Sequence, residues 1–266
     1  MNLFLEENHP YLRPCICRGD FKQARIILAG INPATPITPA QMSLEAYQAL
    51  IGDYECFMEY YKESRRKAGK SPVSRTRQGI SAFVDWVNEE LGQQVIESDV
   101  CTYPTKSVKE LDAAPRWCRE AGIELFWEVL CKSRADVLIL YDARAFRDFL
   151  SLVCAKANAG ADCELLPGDV YEEGIDATKN PMVEHCTAGA GNFDAGMRKE
   201  WIERLSVCEC EQLEKISPVA TLQLGHRRIA VYVARHFMYY GKAGASYEAF
   251  KEKLKGRDWK KLLQKG

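Results

Sequence analysis

Four short polar segments, each following an apolar run, hold the residues in this chain best placed for chemistry. They are Ile31-Asn32-Pro33-Ala34, Cys101-Thr102-Tyr103-Pro104-Thr105-Lys106, Asp142-Ala143-Arg144 and His226-Arg227-Arg228. In an open parallel sheet, ligands gather at the carboxyl ends of the strands, where such segments converge. Two basic clusters add a capacity for phosphate contacts. One holds Lys62, Arg65, Arg66, Lys67, Lys70, Arg75 and Arg77 against Glu63 alone. The other, Lys251 to Lys265, sets seven basic residues against Glu252 and Asp258, with Trp259 among them. Either cluster is also compatible with plain solvated surface.

The 11 cysteines invite a metal or disulfide reading, but their number is odd and their spacing irregular. The two close pairs, Cys15/Cys17 and Cys208/Cys210, are C-x-C, which does not suit the usual chelate turn. Free thiols in a reducing cytoplasm, with no metal and no cofactor, are the expectation. The start, Met-Asn-Leu-Phe-Leu-Glu-Glu, lacks the basic region of a signal peptide. No apolar run is long enough to cross a bilayer, so no membrane partner is expected.

The elements that must position these segments follow from periodicity. Ala24–Gly30, Val95–Tyr103, Asp136–Tyr141 and Val219–Gly225 read as buried strands. Ser74–Leu91 reads as a helix stopped by Gly92, and Pro115–Cys131 and Ala143–Cys154 as two more. Arg227–Tyr240 reads as a fourth helix after the last strand. The alternation predicts an α/β fold with a largely parallel sheet. One domain over residues 1–266 is expected, with an insertion or lid near 157–191 and a basic C-terminal segment, 251–266. At 266 residues, with 47% hydrophobic and 27% charged side chains, the chain can bury a full core. Its 36 basic and 37 acidic residues leave a net charge of -1. That excludes a polybasic protein held on nucleic acid by bulk charge, though not one with a local basic rim.

The run Leu28-Ala29-Gly30-Ile31-Asn32-Pro33 resembles the first active-site motif of the uracil-DNA glycosylase superfamily, a buried strand ending in Gly-x-Asn-Pro. Leu224-Gly225-His226-Arg227-Arg228 is similar to the second motif, a histidine loop after the last strand, although His-Arg-Arg replaces the common His-Pro-Ser. Val95–Lys106 looks like the middle strand, with its base-reading residue and its proline loop. The resemblance runs from Ala24 to about Phe237. It implies a three-layer α/β/α sandwich around a mainly parallel four-stranded sheet, and a monomer acting on DNA.

From that resemblance, Asn32 and His226 are the candidate catalytic residues. Asn32 would orient the attacking water, and His226 would hydrogen-bond the departing base. The alternative for Asn32 is a turn cap. Gly30, Ile31, Pro33, Tyr47 and Asp99 are the candidate substrate-binding residues, Tyr47 as a stacking platform. Lys106, Arg227 and Arg228 are the candidate DNA contacts. Family members with Thr-Asn-Val in the middle strand use the Asn to recognise uracil, and here the sequence is Ser98-Asp99-Val100. An ionised carboxylate only accepts hydrogen bonds, which suits the exocyclic amine of cytosine. Asp99 is equally compatible with an exposed strand end. The loop Ala34–Ala46 is long enough to leave room for a substituent on the base.

The expected activity is that of a monofunctional glycosylase that flips a base and leaves an abasic site. Cytosine carrying hydroxymethyl or glucosyl groups, as in phage DNA, fits the resemblance to the bacterial phage-defence branch. Uracil or mismatch repair and a non-catalytic modified-DNA binding module are the alternatives. Gly-x-Ser-x-Gly, a Walker loop and a dinucleotide fingerprint do not occur after any predicted strand, so an unrelated hydrolase or nucleotide enzyme lacks a motif.

Overall fold

In the computed structural model the described residues are 2–167, 195–209, 213, 218–240 and 247–256. The expected insertion is therefore described only as far as Pro167, and the basic C-terminal segment only as far as Gly256. The rest of both lies outside the described residues.

The strands are β1 (Ile16–Cys17), β2 (Ile26–Gly30), β3 (Val95–Asp99), β4 (Val137–Tyr141), β5 (Cys163–Pro167), β6 (Ala220–Leu224) and β7 (Arg227–Ala234). They form one mixed sheet in the order β1-β3-β2-β4-β7-β6-β5. The four central strands, β3, β2, β4 and β7, are mutually parallel. β1 runs antiparallel at one edge, and β6 and β5 run antiparallel at the other. The fold is α/β, as expected, but the sheet is larger than the predicted four strands and only its centre is parallel.

Eight α-helices lie among the described residues: α1 (Leu44–Gly52), α2 (Tyr54–Lys67), α3 (Arg75–Leu91), α4 (Val108–Ala113), α5 (Arg116–Lys132), α6 (Ala143–Asn158), α7 (Ala195–Ser206) and, after the last strand, α8 (Tyr247–Lys255). Successive strand residues face opposite ways, so each central strand feeds two cores. Ile27, Ala29, Leu138, Leu140, Val231 and Val233 pack with Phe126, Val129, Phe146 and Phe149 of α5 and α6. Ile26, Leu28, Val137, Ile139 and Tyr232 pack on the other face with Ile80, Phe83, Val84 and Val87 of α3. This two-sided burial explains why the central strands read as unbroken apolar runs.

Local chemistry sets several boundaries. Ser74 caps α3 by accepting from Arg77 N at 3.1 Å, and Gly92 ends it in the left-handed conformation (φ 61°). The capping serine is also tied to α2, because Tyr61 Oη donates to Ser74 Oγ at 3.0 Å.

One predicted element is wrong. Arg227–Tyr240 is not a helix; it holds strand β7 and then a 3-10 turn, Phe237–Tyr239. The two-residue turn Gly225-His226 (Gly225 φ 57°) folds β7 back antiparallel on β6, pairing Leu224 with Arg227. Ile229, Val231 and Val233 alternate along it, a β-branched pattern suited to a strand buried on both faces.

Candidate functional site

β3, β2 and β4 end level with one another. Gly30 pairs with Asp99, and one step earlier Ala29 pairs with Leu140, so Tyr141 flanks Gly30 on its other side. A Cβ on Gly30 would sit 2.3 Å from Tyr141 Oη and 2.7 Å from Asp99 Oδ1. Glycine thus leaves the space that these two side chains share above the strand. A pocket of about 290 Å³ opens over this floor, walled by the Ile31–Thr35 loop, the start of α3, Phe57, Arg13 and His236. Its volume is near the lower end of small-molecule pockets, roughly 300–1,000 Å³, and suits one ring system rather than a large ligand.

Asn32 is held by a short relay. Its Nδ2 donates to Thr105 Oγ1 at 2.8 Å, and that hydroxyl donates in turn to Ser107 O at 2.8 Å. A hydroxyl that has spent its proton can only accept, so the amide is turned with Oδ1 away from Thr105. The backbone beneath is stitched to the neighbouring loop: Val100 N bonds to Gly30 O, Cys101 N to Ile31 O and Thr105 N to Pro33 O, at 2.9–3.0 Å. Thr35, at φ 70°, ends the loop in a conformation that non-glycine residues rarely adopt.

His236 lies two residues beyond β7 and faces the same pocket. Its Nδ1 accepts from Met238 N at 3.3 Å, which leaves the ring hydrogen of the neutral form on Nε2. Burial lowers its pKa, against an opposing pull from Asp142, so the imidazole is neutral at pH 7. α3 sets its position. A Cβ on Gly79 would lie 1.9 Å from Phe237 O, so only glycine lets this turn come so close.

Charges beneath the pocket are interlocked. Arg77 pairs with the buried Glu97. Burial opposes the Arg77 charge, but Glu97 and its neighbours more than offset this and its pKa rises. Asp99 is pushed up to about 7, chiefly by burial, with Arg13 and Arg77 pulling the other way. Half-protonated near neutrality, it can donate as well as accept, which revises the purely accepting carboxylate expected from sequence. Tyr141 is raised well above its ordinary value by burial and then by Asp99, and remains a phenol.

The structure brings Gly30, Ile31, Asn32, Pro33 and Asp99 together. It separates the other candidates from them. His226 lies in the β6–β7 turn, ahead of β7 and therefore at the opposite, amino edge of the parallel strands. Arg227 donates to Leu130 O and Ser133 O at the end of α5, and Arg228 is exposed at the same edge. The physical reason is the β7 correction: a residue preceding a parallel strand cannot share an edge with one that follows its neighbour. Tyr47 is a core residue, 1% exposed, stacked on Tyr11 with centroids 4.9 Å apart and donating to Leu12 O. The aromatics against the pocket are Phe57, Tyr61 and Tyr141. Lys106 is exposed on the loop after β3.

Of the long loop after Asn32, Pro33, Ala34 and Thr35 line the pocket. The loop anchors the N-terminal segment, with Tyr11 N bonded to Ile37 O at 2.9 Å and Tyr11 Oη to Met42 O at 3.0 Å. In the first basic cluster, Lys62, Arg66 and Lys67 pair with Glu59 and Glu63 along α2, while Arg65 reaches the pocket. Cys15 and Cys17 are both pushed up to about 12, mainly by burial, and stay protonated. Arg13, Tyr141 and His236 escaped the sequence reading. Reading β7 as a strand would have pointed to His236 by the same rule that selected Asn32.

No protein-family model matches the chain, and a search of curated proteins finds no match either. No helix among the described residues is long and apolar enough to cross a membrane.

Proposed function

We propose that this chain is a monofunctional DNA glycosylase of the uracil-DNA glycosylase type, with Asn32 and His236 as its catalytic pair. The observation that carries this reading is the pairing itself. An amide with its oxygen turned out by the Thr105 relay and a neutral imidazole with its proton on Nε2 face one base-sized pocket. The central parallel order, β3-β2-β4-β7, supports the same reading, since the pocket lies at the carboxyl ends of these strands.

In the reaction, the flipped nucleotide places its base over Gly30, Asp99 and Tyr141. Asn32 Oδ1 accepts a hydrogen bond from water and aims its oxygen at C1′. As the C1′–N bond breaks, its electron pair passes to the base, and His236 Nε2–H stabilises the anion that develops there. The water oxygen bonds to C1′ and its proton is released, leaving a 1′-hydroxyl on an abasic sugar. Donors aimed at charge that appears only in the transition state act on rate rather than on binding. Arg65 at the pocket and the exposed bases of α2 supply phosphate contacts, replacing Arg227 and Arg228 in that role.

Cytosine and its forms with small substituents, such as hydroxymethylcytosine, are the proposed substrates, because a glucosyl group adds a second ring to a pocket of about 290 Å³; uracil or mismatch repair is the competing use of the same site. The test is a panel of labelled oligonucleotides, single- and double-stranded, carrying uracil, mismatched thymine, cytosine, hydroxymethylcytosine or its glucosylated form. Alkali-labile abasic sites should appear with the wild type and not with Asn32→Ala. Binding to DNA without product on any substrate would instead identify a non-catalytic module.

A further inference from the structure

Among the described residues the Arg13 side chain has no acceptor. Its backbone is pinned beside the end of β3, with Arg13 N bonded to Thr102 O at 3.0 Å and Ser98 Oγ donating to Pro14 O at 2.5 Å. Its guanidinium lies over the Phe57 ring, 5.0 Å from the centroid, and faces the pocket. Among the described residues it makes no side-chain hydrogen bond and no ion pair. Of the other pocket arginines, Arg77 pairs with Glu97, and Arg65 donates through Nε to Ser71 O, which leaves its terminal nitrogens for phosphate. A guanidinium offers five N–H donors and stays charged, and here those donors face the cavity rather than a protein acceptor.

Asp99 is its counterpart. The carboxyl group lines the same pocket and makes no hydrogen bond to the described residues. Each group feels the charge of the other, yet they do not meet as an ion pair. An unmet set of donors and an unmet acceptor therefore face one cavity, held apart by the backbone on either side. A ligand that bridges them would satisfy both.

We propose that Arg13 and Asp99 together read the pairing edge of a cytosine-type base. In its ionised form Asp99 accepts from the exocyclic amine, while the fork of Arg13 donates to the ring nitrogen and carbonyl beside it. The two side chains reproduce the acceptor–donor–donor order of guanine, the natural partner of that edge. Uracil presents acceptor–donor–acceptor and can satisfy only part of the pair. A bidentate contact of this kind discriminates on the order of ten-fold or more in affinity. The cytosine edge carries no 5-substituent, so modified cytosines present it unchanged. The inference rests on the glycosylase reading for its DNA context, but it concerns recognition alone.

The experiment is equilibrium binding of free cytosine, uracil and N4,N4-dimethylcytosine to the full chain, by calorimetry or ligand-observed NMR. The wild type should prefer cytosine to uracil by roughly ten-fold, and dimethylation of the amine should weaken binding. Arg13→Gln should abolish the preference. Arg13→Lys should restore little of it, because an ammonium lacks the planar fork. Asp99→Asn should shift the balance toward uracil, since an amide can donate to its carbonyl. Circular dichroism checks that each variant is folded. Equal binding, a uracil preference, no binding of any base, or a cytosine preference that survives in either folded Arg13 variant would overturn the proposal. Cytosine preference without abasic product in DNA would leave the proposal standing and sink the glycosylase reading. Abasic product from uracil DNA without cytosine preference would do the reverse.

Discussion

The two edges of the central sheet carry similar residues and use them differently. At the amino edge, Arg227 donates to two carbonyls that end α5, and Arg25 holds Arg134 O at 3.0 Å and Asp136 at 3.3 Å. A cation at a helix C-terminus meets its dipole and its orphan carbonyls at once, so these arginines are structural. At the carboxyl edge, Arg13 has no side-chain acceptor and Asp99 no donor among the described residues, and the flanking backbone is strained at Thr35 (φ 70°) and Asp142 (φ 109°). Residue type does not distinguish a site from a staple. Unmet hydrogen-bonding capacity beside a cavity does.

The largest expected effect sets the two histidines against each other. On whichever substrate the wild type cleaves, His236→Ala should slow abasic-site formation by about 10²–10³-fold, the usual loss for one transition-state donor. His226→Ala should leave both rate and stability within about 0.5 kcal/mol of wild type, as for an exposed turn residue. Single-turnover kinetics on both variants decides this, and the opposite ranking would remove the carboxyl edge as the reactive one.

Next is Gly30→Ala. The added methyl would collide with Tyr141 and Asp99, so unfolding in urea should show a loss of about 1–3 kcal/mol, the range for overpacking. The pocket should lose base binding as well. Arg227→Ala should cost a similar or smaller amount, about 1–3 kcal/mol, by leaving buried carbonyls unsatisfied. Its rate per folded molecule should stay unchanged. A fall in that rate would erase the contrast between the edges.

The remaining effect is a slope with pH. Asp99 has its folded pKa raised to about 7 from 3.8, so between these values the folded state binds more protons than the unfolded one. Stability from this group is greatest below about pH 4 and declines as pH rises toward 7, by up to about 1.4 kcal/mol per pH unit for one proton. Asp99→Asn should remove that component from a plot of unfolding free energy against pH. His236 works in the opposite sense. With its pKa lowered, it costs stability as pH falls below its unfolded value of 6.5.

Much of the fold was legible in the sequence where one signal sufficed. Apolar periodicity and the Ser74 and Gly92 caps located α3, and short apolar runs located β2, β3, β4 and β6. β7 failed because a strand buried on both faces loses its polar alternation, leaving Ile229-Ala230-Val231-Tyr232-Val233 open to a helical reading. That single error carried the histidine assignment to the wrong edge. Asn32 and Asp99 were visible because they directly follow or end a strand. Arg13 was not, because only long-range contacts, to Thr102 and Phe57, bring the N-terminal segment to the pocket. Tyr47 misled because its spacing after Asn32 says nothing of the direction in which its ring turns.

The stitching between the Ile31–Pro33 loop and residues 100–105 has a mechanical consequence. Two loops joined by three backbone hydrogen bonds move as one body, so the wall that bears Asn32 is stiff. The facing wall is the bend between α2 and α3, where Lys67–Ser71 are exposed and a Tyr61–Ser74 hydroxyl contact ties the two helices. On the proposed function, an entering nucleotide meets one wall fixed by backbone hydrogen bonds between loops and another that stands open to solvent at residues 67–71.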